Sequence, residues 1–229
     1  MRPSKVNRTR VLHQWLGVEL DAVSPKEKLI SMLGGFVSIA LIIAISQNLL
    51  HLNGASMIIA SMGASAVLLF AVPHGQLSQP WPVVAGHLFS AFIGVTCARF
   101  IPMVPIAAGC AVGLAIMAMH HFKCIHPPGG ATALTAVMGG SSIKSLGYNF
   151  VVSPVLLNAV TIVVVAVAFN FLFQWRRYPA FWNHAPNPTG TENELSHEAV
   201  VEALRSLDSF VDITEDDLLR LHRLLSVKQ

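Results

Sequence analysis

Between Glu27 and Glu192 the chain has neither aspartate nor glutamate, a gap of 164 residues. Charged residues of both signs make up only 12% of it, where soluble domains carry about 25%. Long apolar runs fill the same interval, several near the roughly 20 residues an α-helix needs to cross a hydrocarbon core of about 30 Å. A water-soluble domain is excluded, and a polytopic membrane protein is expected. Cysteine is scarce as well. Cys97, Cys110 and Cys124 lie in or beside apolar segments without zinc-knuckle or CxxC spacing, which excludes a disulfide scaffold. His120, His121, Cys124 and His126 fall within seven residues but match no standard metal pattern. No HExxH and no carboxylate base occurs in the membrane region, so neither a metal, a cofactor nor an enzymatic role is expected.

The charges divide the chain into three parts. Residues 1–28 carry six bases and three acids, an N-terminal part in which 11–20 reads as an interfacial helix. Residues 29–175 form the transmembrane domain, and 176–229 a soluble tail rich in both signs. Arg2, Lys5, Arg8, Arg10, Lys26 and Lys28 precede the first span, while Arg176 and Arg177 follow the last. The positive-inside rule then expects both termini in the cytoplasm of a bacterial inner membrane. A net charge of +3 gives no reason to expect nucleic acid; membrane lipid is the expected surroundings.

Six embedded segments follow: 29–50, 55–72, 81–101, 104–121, 126–139 and 148–175. The fold class expected is an all-α membrane bundle of four to six spans with short interrupted helices. The fifth segment is too short to cross, and Pro127, Pro128, Gly129 and Gly130 cannot all sit inside a regular helix. Irregular backbone exposed to lipid leaves polar groups unsatisfied, so this break must be buried in protein or line an aqueous path. At an offset of 67 residues, Gly63-Ala64-Ser65-Ala66-Val67 falls on Gly130-Ala131-Thr132-Ala133-Leu134, and Trp81 on Tyr148. This echo suggests two repeats of span, short small-residue helix and span. Three crossings per repeat would invert one repeat against the other; two re-entrant segments would leave them parallel.

Paired interrupted segments point to a substrate site, because helix N-termini offer unpaired N–H groups and a partial positive charge. In segment five, Gly129 and Gly130 would let a ligand approach the backbone, Thr132 adds a hydroxyl, and Lys123 and His126 stand just upstream. Segment two offers Gly63, Ala64 and Ser65 in the corresponding place. His87 lies inside a span, where a polar side chain is a functional candidate, although a hydrogen bond between helices is the competing explanation. The small residues of segment two serve equally well for plain helix packing. His126 could also shuttle a proton, since an imidazole titrates near neutrality.

His126-Pro127-Pro128-Gly129-Gly130-Ala131-Thr132-Ala133-Leu134, with Gly63-Ala64-Ser65-Ala66-Val67-Leu68-Leu69-Phe70, Gln79-Pro80 and Gly86-His87, resembles the HPP family of integral membrane proteins. The resemblance covers about residues 29–175. It implies a permease-like protein; plant relatives are associated with nitrite transport into chloroplasts, and many bacterial relatives add C-terminal CBS domains. Asp212-Ile213-Thr214-Glu215-Asp216-Asp217-Leu218 resembles the opening of the linker to such domains, which the sequence does not go on to supply.

The tail shows helical spacing over 195–211 and 215–227, two amphipathic helices that must pack on the membrane domain, on each other or on a second subunit, so a homo-oligomer is expected. The expected function is a transporter or channel for a small inorganic anion, a monovalent oxyanion with nitrite the leading candidate. Two rivals stand beside it: a channel for neutral solutes such as water, ammonia or nitrous acid, and a membrane anchor or sensor that transports nothing.

Overall fold

The computed structural model describes residues 23–50 and 55–183, together with Leu218. The interfacial helix expected over 11–20 and the tail helices over 195–211 and 215–227 lie outside the described residues, Leu218 apart. Every described element is helical: α1 (Pro25–Ile45), α2 (Ala55–Ala71), α3 (Pro80–Phe100), α4 (Val104–His121), α5 (Pro128–Met138), α6 (Gly140–Leu146) and α7 (Leu157–Phe171).

Proline sets the start of four of them, since its fixed φ suits the first helical turn and its missing N–H would lack a partner there anyway. It stands in the first turn of α1, α3, α4 and α5. In α1 the cap is complete, with Ser24 accepting from the Glu27 N–H at 3.2 Å. The end of α4 is a left-handed reversal with Lys123 at φ 53°. Lys123 N–H bonds His120 O at 3.2 Å and Cys124 N–H bonds Met119 O at 2.9 Å, the pairing of a Schellman motif. Ahead of α7, Ser153 leaves the helical φ/ψ just before Pro154 within Val151–Leu156, a wide turn that kinks the chain into its last span.

Four helical stretches are long and apolar enough to cross a membrane: Pro25–Asn48, Pro80–Phe100, Val104–His121 and Val151–Phe171. The other three, α2, α5 and α6, are shorter, and α5, with 11 residues, reaches only about 16 Å at 1.5 Å per residue. Their directions follow from side-chain contacts. Gly34 of α1 faces Phe70 and Phe169, and Ser46 beyond its other end bonds Asn158, so α1 runs antiparallel to both α2 and α7. Gly86 and Gly94 of α3 face Gly129 and Ala133 in rising order, so α3 and α5 are parallel, with α4 antiparallel between them in sequence. With the short α6 left aside, the helices therefore alternate in direction. Each half of the chain contributes three, so the second half runs in the opposite sense to the first, with two long stretches in each half. The third helix of each half packs on the short helix of the other: α3 on α5, and α7 on α2.

Two cores result. Ile42, Met62, Leu69, Phe70 and Ile162 join α1, α2 and α7, while Ala85, Cys97, Ala111, Met119 and Ala133 join α3, α4 and α5. The second is built largely of small residues that let backbones approach closely. Phe36, Phe92, Phe100, Met117, Val164 and Leu172 are exposed, as an outward face in lipid requires.

At the end of the bundle where α1 starts and α7 finishes, Arg176 is buried and holds three helices together. Its Nη1 pairs with Glu27 and also reaches Ser31 Oγ at 3.2 Å. Nε donates to Asn170 Oδ1 at 3.1 Å and Nη2 to the Phe70 carbonyl at 2.6 Å, in the last turn of α2, where a cation meets the negative end of the helix dipole. Glu27 is the one acidic residue among the described residues, and Trp175 Nε1 donates to its other oxygen at 3.0 Å. Read from sequence as a charge marking the membrane boundary, Arg176 is a structural hub.

Candidate functional site

Four polar side chains from three segments meet in the interior: Ser65 from α2, His87 from α3, and His126 just before α5 with Thr132 within it. All are at most 1% exposed. Ser65 Oγ lies 2.9 Å from His87 Nε2 and 2.8 Å from His126 Nε2. His87 Nδ1 is 2.7 Å from Thr132 Oγ1, and His126 Nδ1 is 2.8 Å from the Leu77 carbonyl. The two rings meet edge to face with centroids 5.0 Å apart.

Donor and acceptor rules fix the direction of every bond when both rings are neutral. A carbonyl only accepts, so His126 Nδ1 carries its proton toward Leu77. Its Nε2 is then an acceptor, and Ser65 must donate to it. With that proton engaged, Ser65 accepts from His87 Nε2–H, which leaves His87 Nδ1 to accept from Thr132. One chain results, Thr132 to His87 to Ser65 to His126 to Leu77, with every ring nitrogen satisfied. Satisfied buried networks of this kind are rigid, and an unpaired member would be costly.

Ser90, one turn beyond His87 on α3, is different. It is fully buried, yet its Oγ has no hydrogen-bond partner, and it points at Gly129 in the first turn of α5. A buried hydroxyl without a partner costs about 1–3 kcal/mol, so a native one asks for an explanation.

The remaining sequence candidates spread around this centre. Gly129 is buried in the α3–α5 contact: a Cβ there would lie 2.7 Å from Ser90 Oγ and 2.9 Å from the Gly86 carbonyl, so its smallness serves helix approach. Gly130 is half-buried with nothing within 4 Å of an added Cβ. Their N–H groups already bond the His126 and Pro127 carbonyls, at 2.8 and 3.0 Å. Pro128 is buried, whereas Pro127 and Lys123 are exposed and outside the network. Gly63 lines a groove of about 390 Å³ between α1 and α2, with Gly35, Phe36 and Phe70, and Ala64 is exposed. The two short helices are expected from sequence to present their N-termini in corresponding places, but α2 does not bring its own to this network. Ser65 lies ten residues past the start of α2, so α2 brings a hydroxyl from its second half, not its electropositive tip. The spacing of small residues could not show this, because it fixes neither where a helix begins nor which face turns inward. Ser90 was overlooked by the sequence reading; its one signal is its place at three residues after His87, on the same helical face.

The model of the HPP transmembrane region matches residues 20–179, well over half of the chain. The chain belongs to the HPP family. A transmembrane protein of Dictyostelium discoideum is 34% identical over 175 residues, covering 74% of this chain and 56% of its own length. A second transmembrane protein of that organism is 38% identical over 133 residues, covering 55% of this chain and 45% of itself. The chain thus spans about half the length of the curated relatives it matches. No solved structure matches it. This HPP protein is an integral membrane protein, and the His-Pro-Pro signature supplies the histidine that ties Ser65 to the Leu77 carbonyl.

Proposed function

We propose that this HPP protein is a transporter for a small monovalent oxyanion, nitrite the leading candidate, with both termini in the cytoplasm of a bacterial inner membrane. One observation carries the reading: the buried network takes Ser65 and His87 from one inverted half and His126 and Thr132 from the other. Transporters built from inverted repeats work by moving one half against the other around a site at their interface. Any such movement here must break these bonds, and a solute with several acceptor oxygens could take over the hydroxyl and imidazole donors. Ser90, with an unspent proton beside the first turn of α5, adds a donor where a helix start favours negative charge. The site proposed comprises His126, Thr132, Ser65, His87 and Ser90, with Gly129 and Gly130 forming the helix start; Gly63, Ala64, Pro127, Pro128 and Lys123 shape its approaches.

Proteoliposomes carrying the purified chain should take up nitrite faster than empty vesicles. Equal rates across pH and voltage would refute the reading. Osmotic swelling in water or ammonia without nitrite uptake would favour the neutral-solute channel instead.

A further inference from the structure

We propose that His87, Ser65 and His126 form a proton-binding site that takes up one proton together with the transported anion, which makes the transporter a proton–anion symporter. The inference rests on the transport reading above and adds the coupling ion to it.

The geometry that supports it lies in the two hydroxyls. Each has a second acceptor already in place: Ser65 Oγ is 3.2 Å from the Ser61 carbonyl, and Thr132 Oγ1 is 3.4 Å from the Pro128 carbonyl. A proton added to His126 Nε2 turns that nitrogen from acceptor to donor. Ser65 then accepts from both Nε2–H groups and swings its own proton to Ser61. A proton added instead to His87 Nδ1 is accepted by Thr132, whose proton swings to Pro128. In either case one N–H bond forms, one hydroxyl rotates, and no polar atom in the network loses its partner. Without those second acceptors, the hydroxyl facing the protonated nitrogen would have nowhere to send its hydrogen.

The surroundings decide what must accompany the proton. The other titratable side chains on the elements packed around the pair are Cys97 and Arg99 on α3, Cys110 on α4, His120, His121, Lys123 and Cys124 at the end of α4, His74 on the α2–α3 connection, and Tyr178 beyond α7. No carboxylate stands among them, and Glu27 is committed to Arg176. A lone positive charge buried there would be costly, whereas a charge that arrives with a monovalent anion is paired from the outset. Proton and anion should therefore bind together, and the pair should move without net charge.

The test is calorimetric titration of the full chain in detergent with sodium nitrite at pH 6, in buffers of different ionisation enthalpy. The slope of observed heat against buffer enthalpy counts the protons taken up. The expected result is about one proton per nitrite bound, falling to about zero in the double variant His87→Gln with His126→Gln, whose glutamines can still hydrogen-bond but cannot titrate near neutrality. Nitrite binding with no proton uptake overturns this inference and leaves the transport reading intact. No nitrite binding, with no uptake by vesicles, overturns both. A second measurement is independent of any variant's folding: wild-type uptake into vesicles clamped with potassium and valinomycin should follow an imposed pH gradient and ignore the membrane potential. Uptake that follows voltage alone overturns the symport.

Discussion

The Nδ1–H of His126 donates to the carbonyl of Leu77 at 2.8 Å, across 49 residues of sequence. That bond sets the tautomer of the ring and, through it, the direction of the whole network. Leu77 sits in the α2–α3 connection, which is itself held from the C-terminal side. Tyr178 Oη donates to the Ser78 carbonyl at 2.8 Å, and the Ala180 N–H donates to Gln79 Oε1 at 3.0 Å. The segment that follows α7 therefore reaches the buried histidines through one short loop.

Tyr178→Phe removes the donor to Ser78 and leaves a buried carbonyl unpaired. Burial pushes the Tyr178 phenol well above its usual range, so in the wild type it remains a donor at any working pH. The variant should be about 1–2 kcal/mol less stable. Thermal unfolding in detergent checks this, and an unchanged midpoint would show that the bond anchors nothing.

Arg176→Leu should be more severe. It strands Glu27 and the Phe70 carbonyl at the junction of α1, α2 and α7, at a cost of about 3 kcal/mol or more. Arg176→Lys should recover little, because one ammonium cannot reach Glu27, Ser31, Asn170 and Phe70 with a planar fork. The unfolding midpoints of the two variants, set beside the wild type, test the ordering.

Gly129 and Gly130, adjacent in the signature, should behave in opposite ways. Gly129→Ala pushes a methyl into Ser90 and the backbone of Gly86, and overpacking of that kind costs about 1–3 kcal/mol. Gly130→Ala meets open space in a helical turn and should be neutral or about 0.5 kcal/mol more stable. Equal loss in both would contradict the α3–α5 packing described above.

Much of this architecture is legible in the sequence, because membrane crossing imposes length and polarity on a helix. The four long spans follow from apolar runs, and the echo that aligns Ser65 with Thr132 already pairs two network members across the repeats. The direction of each repeat came only from contacts, since hydropathy is blind to orientation. Periodicity could not show that Ser65 lies deep in α2, that Gly129 faces a helix, or that Ser90 is unpaired, because each depends on which faces meet. The clamp made by Arg176 was hidden for a different reason. At a membrane boundary, a charge that sets topology and one that clamps three helices look the same.

The most direct test of the central claim is the initial rate of nitrite uptake by vesicles carrying Ser65→Ala against wild type, at matched insertion and below the variant's unfolding temperature. Ser65 is the single atom bridge between the two histidines, and its loss leaves both Nε2 atoms without that partner. The network account predicts a fall of about tenfold or more, equivalent to about 1.4 kcal/mol. A rate equal to wild type would contradict it.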